Sequence, residues 1–292
     1  MRPLVVAMPG QSSRAELLAE QIGGEVADMA MRQFPDGECY VRFDDDVRGR
    51  SLVVVESLDE PNAKFLPLYF VAETARELKA SDVGIVAPYL AYLRQDDRFE
   101  PGEAVTSRCF GGLISQVFDW VVTVDPHLHR IERLDQAIHN REAIALPSAS
   151  VMGAFLAAHT QQPLLLGPDE ESEQWVRAIA EPAGLDWAVA KKQRFGDRQV
   201  QVALPEREYA QHQVILVDDM ISTGNTLINV SQQLRRQGAK TIHCLVTHAL
   251  FGEQVSHALH QAGIENIWSS DSVPHPSNAV SLAGLLASAF RS

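Results

Sequence analysis

Apolar positions along the chain fall into short β-rich runs separated by longer stretches with apolar residues at helical spacing. The short runs predict strands at residues 4–8, 51–56, 83–87 and 120–124, then at 163–166, 187–190, 199–203, 214–217, 241–247 and 266–269. The longer stretches predict helices at 12–21, 63–78, 105–118, 149–158, 172–180, 226–237, 253–262 and 277–288. Nearly continuous apolar strands alternating with amphipathic helices predict an α/β fold of mainly parallel sheets flanked by helices. Ligands of such sheets bind beyond the carboxyl ends of strands. The two halves share a rhythm, and Pro147 with its small neighbours marks a boundary, which gives domains at 1–146 and 147–292.

Composition narrows the setting. Twenty-five basic against 38 acidic residues leave a net charge of −13, which opposes sequence-independent nucleic-acid binding. A local basic pocket for phosphates remains compatible with it. Three widely spaced cysteines, Cys39, Cys109 and Cys244, suit a reducing cytosol better than a disulfide framework and have no metal-site spacing, so the expected location is cytoplasmic. The apolar start of the chain is too short for a signal peptide and reads as a first strand, and no run reaches the length of a membrane span.

One stretch carries specific chemistry. Four apolar residues, Val214 to Val217, lead into adjacent carboxylates, Asp218 and Asp219. A turn follows with Ser222, Thr223, Gly224, Asn225 and Thr226, and then a helical pattern begins. A strand–loop–helix of this kind presents unpaired backbone N–H groups and the positive end of a helix dipole, which suits a phosphate. Thr223 and Thr226 add hydroxyl donors, and Gly224 lets the backbone close around the anion. The carboxylates repel a phosphate and are better suited to sugar hydroxyls or magnesium. The plainer alternative is a strand-to-helix turn with two solvated acids, but adjacent acids after a buried strand repel each other for no packing gain. The arrangement resembles the phosphoribosyl diphosphate signature of the phosphoribosyltransferase fold.

Four other segments have individually ordinary alternatives. Phe34-Pro-Asp36-Gly37-Glu38 offers a ring to stack on a base and carboxylates for an amino group, or is a simple turn before an edge strand. Arg94-Gln95, with Arg98 nearby, suits a triphosphate or forms a solvated charged loop. His127 beside Asp125 at a strand end can serve a divalent metal, although magnesium prefers oxygen and a hydrogen-bonded structural histidine is the plainer reading. Asp169 follows another apolar run. Lys192 and Arg194 alternate in an extended segment, so they can face one ligand and stabilise a transferring phosphoryl group, or they belong to a basic hairpin in water.

The order of these segments resembles the ribose-phosphate diphosphokinase (phosphoribosyl diphosphate synthetase) family over nearly the whole chain, and the run from Arg94 to Glu103 looks closer to its archaeal-type branch. The resemblance implies two phosphoribosyltransferase-like domains, the first on the ATP side and the second on the ribose 5-phosphate side. It implies magnesium-dependent transfer of diphosphate from ATP to the 1-hydroxyl of ribose 5-phosphate. Phe34, Asp36, Gly37, Glu38, Arg94 and Gln95 would then bind ATP. His127 and Asp169 would act with Mg2+. Lys192 and Arg194 would be catalytic, with Arg194 also holding substrate. Asp218, Asp219, Ser222, Thr223, Gly224, Asn225 and Thr226 would bind ribose 5-phosphate. The family also implies a homo-oligomer, at least a dimer, while the net charge and the lack of a spanning run lead to the expectation of no nucleic-acid or membrane partner. Four positions depart from its usual pattern: Ser222 replaces an acid, Asn225 a glycine, and Glu170-Glu171 a glycine pair. A phosphoribosyltransferase that consumes phosphoribosyl diphosphate and a non-catalytic regulatory homologue are the competing expectations.

Overall fold

The computed structural model describes residues 2–128, 130–131, 133–139, 142–195 and 199–291, with the backbone alone at 192–195 and 199–201. The chain divides into two compact units, residues 1–147 with 282–292, and residues 148–281.

The first unit runs β1 (Leu4–Ala7), α1 (Ser12–Ile22), β2 (Glu25–Val26), β3 (Met29–Gln33), β4 (Cys39–Phe43), β5 (Ser51–Val55), α2 (Pro61–Glu77), β6 (Asp82–Ala87), α3 (Thr106–Val117), β7 (Trp120–Val124) and β8 (Glu142–Leu146). Its sheet has the order β2-β1-β5-β6-β7-β8, every neighbour parallel. The central strands read Leu-Val-Val-Ala, Ser-Leu-Val-Val-Val and Asp-Val-Gly-Ile-Val-Ala because helices cover both faces, so alternation gives way to continuous apolar sequence. Strands β3 and β4 form a separate antiparallel hairpin.

The second unit runs α4 (Ala149–His159), β9 (Leu164–Gly167), α5 (Glu173–Ala183), β10 (Trp187–Val189), β11 (Lys191–Phe195), β12 (Gln199–Ala203), β13 (Gln213–Ile221), α6 (Asn225–Arg236), β14 (Thr241–Ala249), α7 (Glu253–Gln261), β15 (Asn266–Ser270) and β16 (Asn278–Val280). Its sheet order, β10-β9-β13-β14-β15-β16, is also parallel throughout and repeats the topology of the first unit. The antiparallel hairpin β11–β12 is inserted between the second and third sheet strands of this unit, as β3–β4 is in the first. One face of the sheet packs Leu164, Leu166, Val214, Leu216, Cys244 and Val246 against α6 and α7. The other packs Leu165, Ile215, Val217 and Leu245 against α4 and α5.

Besides β2 and β3, which the apolar pattern does not pick out, three elements differ from the sequence reading. The acid pair lies inside a strand: β13 continues to Ile221 because β14 pairs with it as far as Ala249, so the partner's length sets the strand end. Residues 277–288 form two elements instead of one helix. Asn278 donates through Nδ2 to the Ser270 carbonyl at 2.6 Å and to Ser269 Oγ at 3.0 Å, which holds β16 extended on the sheet edge. Only α8 (Ala283–Ser288) is helical, and this final segment belongs to the first unit, with Phe290 edge-on to Trp120 at 5.6 Å. Residues 142–146, expected at an interruption, complete the first sheet as β8.

Candidate active site

At the carboxyl end of the second sheet, β13 lies between β9 and β14. The β9 register pairs Leu216 with Leu166, so the next residues along both strands bring Asp218 and Asp169 to the same end of adjacent strands. Asp218 is half-buried and Asp219 is only 2% exposed. The Asp219 N–H donates to Asp218 Oδ1 at 3.0 Å. Burial first, and then the charges of Asp219 and Asp169, push the Asp218 carboxyl well above the usual carboxylate range. Complete burial first, and then the Asp218 charge, raise the Cys244 thiol on the α6 side, so this cysteine stays protonated. All three cysteines are free.

Past Ile221 the chain turns through Ser222 and the exposed Thr223 into Gly224, whose φ of +70° places it in the left-handed region. Gly224 is the residue before α6, and no side chain caps that helix. Its first turn has no acidic residue. The leading N–H groups of a helix have no intrahelical partners, so this start has the chemistry to receive an anion. Asn225 and Thr226 lie in the first turn, Asn225 exposed and Thr226 half-buried. The strand beside it is locked by a buried hydroxyl network. Thr247 Oγ1 meets Ser148 Oγ at 3.1 Å, and its carbonyl accepts from Ser270 at 2.5 Å and Ser272 at 2.8 Å. His248 Nδ1 lies 2.9 Å from Ser272 Oγ. Sequence reasoning missed this network, because its members come from three separate segments.

Asp169 is buried and begins a single tight turn, Glu170–Ser172. Its Oδ1 accepts the Glu171 N–H at 3.2 Å, and Ser172 Oγ donates back to its carbonyl at 2.5 Å. Glu170 and Glu171 are exposed. Among the described residues no group of three or more His, Cys, Asp or Glu side chains is arranged to hold a metal ion. Magnesium does not need one, since it keeps several waters and is held by one or two carboxylates together with phosphates. The Asp218 charge, destabilised by burial and by the neighbouring Asp219 and Asp169 carboxylates, fits a hard divalent cation, which would relieve it.

In the first unit, the Phe34–Glu38 segment is the exposed tip of the β3–β4 hairpin. The Phe34 N–H donates to the Glu38 carbonyl at 2.7 Å, Gly37 takes φ +95°, and Asp36 Oδ1 accepts the Glu38 N–H at 3.2 Å. Arg32 lies 4.8 Å from the Phe34 ring centre and 4.9 Å from that of Tyr40, so one face of Phe34 is already occupied. Exposed Arg94 and half-buried Gln95 follow β6, and half-buried His127 follows β7. The side chain of Asp96 next to Gln95 is fully buried and bonded to Arg130, three residues past His127. Burial opposes ionisation of Asp96, but the Arg130 hydrogen bonds and charge outweigh it and hold the carboxyl below its ordinary value.

The repeated topology allows the same place to be compared in the first unit. In the first unit β5 occupies the place of β13, and Glu56 follows it. Lys64 Nζ fills the space after the strand, 3.3 Å from Glu56, 2.7 Å from the Ser57 carbonyl and 2.5 Å from Asp59. Pro61 opens α2 without an N–H, and Glu60 precedes it. An anion there would meet acids, a lysine already engaged by them, and a first helical residue without an N–H.

Strand β11 pairs Lys192 with Val202 and Arg194 with Val200, so the two residues share a face of the hairpin. Their side chains lie outside the described residues. No helix among the described residues is long and apolar enough to cross a membrane.

Comparison with known proteins gives an independent reading. Residues 4–117 match a family model described as the N-terminal domain of ribose phosphate pyrophosphokinase, and residues 137–268 match the phosphoribosyl transferase domain. A ribose-phosphate pyrophosphokinase of Methanopyrus kandleri is 35% identical over 93% of both chains. One from Sulfolobus acidocaldarius is 32% identical over 94% of this chain and 95% of the relative. A crystal structure of phosphoribosylpyrophosphate synthetase from Mycobacterium smegmatis superposes with a TM-score of 0.87, covering 99% of this chain and 98% of that one at 22% identity, which shows a shared fold.

Proposed function

Because the chain belongs to the ribose-phosphate pyrophosphokinase family, and so makes phosphoribosyl diphosphate from ATP and ribose 5-phosphate, we propose how its residues divide that reaction. Ribose 5-phosphate binds in the second unit, with its 5-phosphate on the Ser222–Thr226 turn and its ribose hydroxyls on Asp218, which Asp219 backs. The observation that carries this assignment is the raised proton affinity of half-buried Asp218, beside an uncapped helix start free of acids. A carboxylate under that strain gains from accepting hydroxyl protons, and the helix start gains from a dianion.

ATP binds in the first unit. Its adenine stacks on the face of Phe34 opposite Arg32, with Asp36, Gly37 and Glu38 meeting its edge and Arg94 and Gln95 the phosphates. The ribose 1-hydroxyl oxygen attacks the β-phosphorus, the bond from that phosphorus to the α–β bridging oxygen breaks, AMP departs with that oxygen, and the hydroxyl proton passes to solvent. Lys192 and Arg194 stabilise charge on the transferring diphosphate and hold its approach in line. Asp169 on the ribose side and His127 on the ATP side would hold magnesium, which when bound supplies positive charge to the phosphate oxygens. The enzyme works in the cytoplasm as a homo-oligomer of at least two chains.

The test is to incubate the protein with ATP, ribose 5-phosphate and magnesium, and to separate the products. AMP and phosphoribosyl diphosphate in equal amounts are expected, and Asp218→Asn should raise the KM for ribose 5-phosphate selectively. An Asp218→Asn enzyme with unchanged ribose 5-phosphate kinetics removes the ribose assignment.

A further inference from the structure

We propose that Asp96 and Arg130 are positioning residues, a clasp that fixes the loop carrying Arg94 and Gln95 against the loop carrying His127 so that both meet ATP in register. The proposal rests on the ATP assignment above and adds the element that holds its two loops together. Asp96 Oδ2 accepts the Arg130 backbone N–H at 2.9 Å, and Oδ1 accepts Arg130 Nη1 at 2.9 Å. The carboxylate side chain is 0% exposed, whereas that of Arg130 is 56% exposed. The contact therefore draws an ionised group fully inside the unit to meet a partner that remains at the surface.

That is a poor way to gain stability, because desolvating a carboxylate offsets most of what its ion pair returns. It is an effective way to fix geometry. One oxygen captures the backbone and the other the side chain of the same residue, so the second loop is held at two points. Phe99, on the first loop, lies beneath the Arg130 guanidinium at 5.2 Å and limits its swing. The first loop is independently tied to α3: Ser107 N–H donates to the Gln95 carbonyl at 3.2 Å and Thr106 Oγ1 to the Tyr92 carbonyl at 3.2 Å. Asp96 thus extends a rigid anchor to the loop after β7. Asp96 is adjacent to Gln95, and Arg130 is three residues beyond His127, so loss of the clasp displaces proposed ATP contacts on both sides. Small displacements of binding groups suffice to lower occupancy of the productive geometry.

The experiment compares the full-length wild-type enzyme with Asp96→Asn, Arg130→Met, Arg130→Lys and Arg94→Ala. Each is assayed with ATP and ribose 5-phosphate varied separately, alongside a thermal melt. Asp96→Asn and Arg130→Met should each raise the KM for ATP roughly tenfold and leave that for ribose 5-phosphate within about twofold. Arg130→Lys should recover part of the effect. Arg94→Ala should raise the KM for ATP by its own direct contact. If Arg94→Ala does so while Asp96→Asn and Arg130→Met keep the wild-type value, the clasp is overturned and the ATP assignment stands. If Arg94→Ala also leaves the KM for ATP unchanged, the ATP assignment of this loop falls and the clasp with it. A lowered melting temperature with both Michaelis constants unchanged makes the pair purely structural and overturns the proposal. Arg130→Met, at a half-exposed position, supplies the result if Asp96→Asn does not fold.

Discussion

Replacing Gly224 by alanine tests whether the phosphate cradle depends on one backbone conformation. Gly224 has φ +70°, and a Cβ there would lie 3.0 Å from Val255 Cγ1 and 3.3 Å from Leu259 Cδ2, both on α7. Holding alanine in the left-handed region costs about 1–2 kcal/mol. Crowding α7 adds about 1 kcal/mol, the lower end for overpacking, because each neighbour must give by only a few tenths of an ångström. The sum is about 2–3 kcal/mol if the native turn is kept. The chain can lower that cost by rotating the turn, which moves the N–H groups that begin α6. A displacement of about 1 Å at a binding centre costs on the order of 100-fold. Gly224→Ala should therefore destabilise the protein by up to about 3 kcal/mol, or raise the KM for ribose 5-phosphate by about 10–100-fold, or divide the strain between the two. Denaturant unfolding and steady-state kinetics with ribose 5-phosphate varied measure both. Adding Val255→Ala should recover the crowding part and leave the φ part. A Gly224→Ala enzyme with wild-type stability and wild-type KM for ribose 5-phosphate refutes the reasoning.

Other perturbations separate the remaining roles. Lys192→Ala should lower kcat by about 100–1,000-fold with ATP affinity within about twofold, as for a contact made chiefly in the transition state; single-turnover kinetics and calorimetric ATP titration check it, and near-normal turnover removes the residue from catalysis. Phe34→Ala should raise the KM for ATP by about 5–150-fold, the range of about 1–3 kcal/mol for losing a base–aromatic stack, with no change for ribose 5-phosphate. The Asp218 carboxyl is raised in the folded chain, so its favourable contribution is complete below the unfolded pKa and is lost as pH rises through the folded value. Without substrates or metal, Asp218→Asn should consequently melt higher than wild type at neutral and alkaline pH, with the gap closing toward about pH 4. A melting curve in which the variant is less stable at high pH contradicts the charge crowding assigned to this site.

The sequence alone determined the central buried strands, the amphipathic helices before residue 277, and that an acid pair meets a hydroxyl-rich turn before α6. These features are local: the apolar period reflects faces buried within one element, and the Ser222–Thr226 turn is contiguous. Pairing decided the rest. Val214–Val217 reads as a complete strand, yet β13 reaches Ile221 because β14 supplies partners that far. Asp169 and Asp218 are distant in sequence and share one sheet end only because β9 and β13 are neighbours in parallel register. Asn278 holds its segment extended through Ser269 and Ser270, a long-range set of bonds that helical spacing at 277–288 conceals. Nothing in the sequence links Asp96 to Arg130, and burial of one against the other is a property of the folded first unit. Periodicity records how each element meets the core. Strand order, register and the burial of charge depend on which elements meet one another, so they emerge only in the tertiary structure.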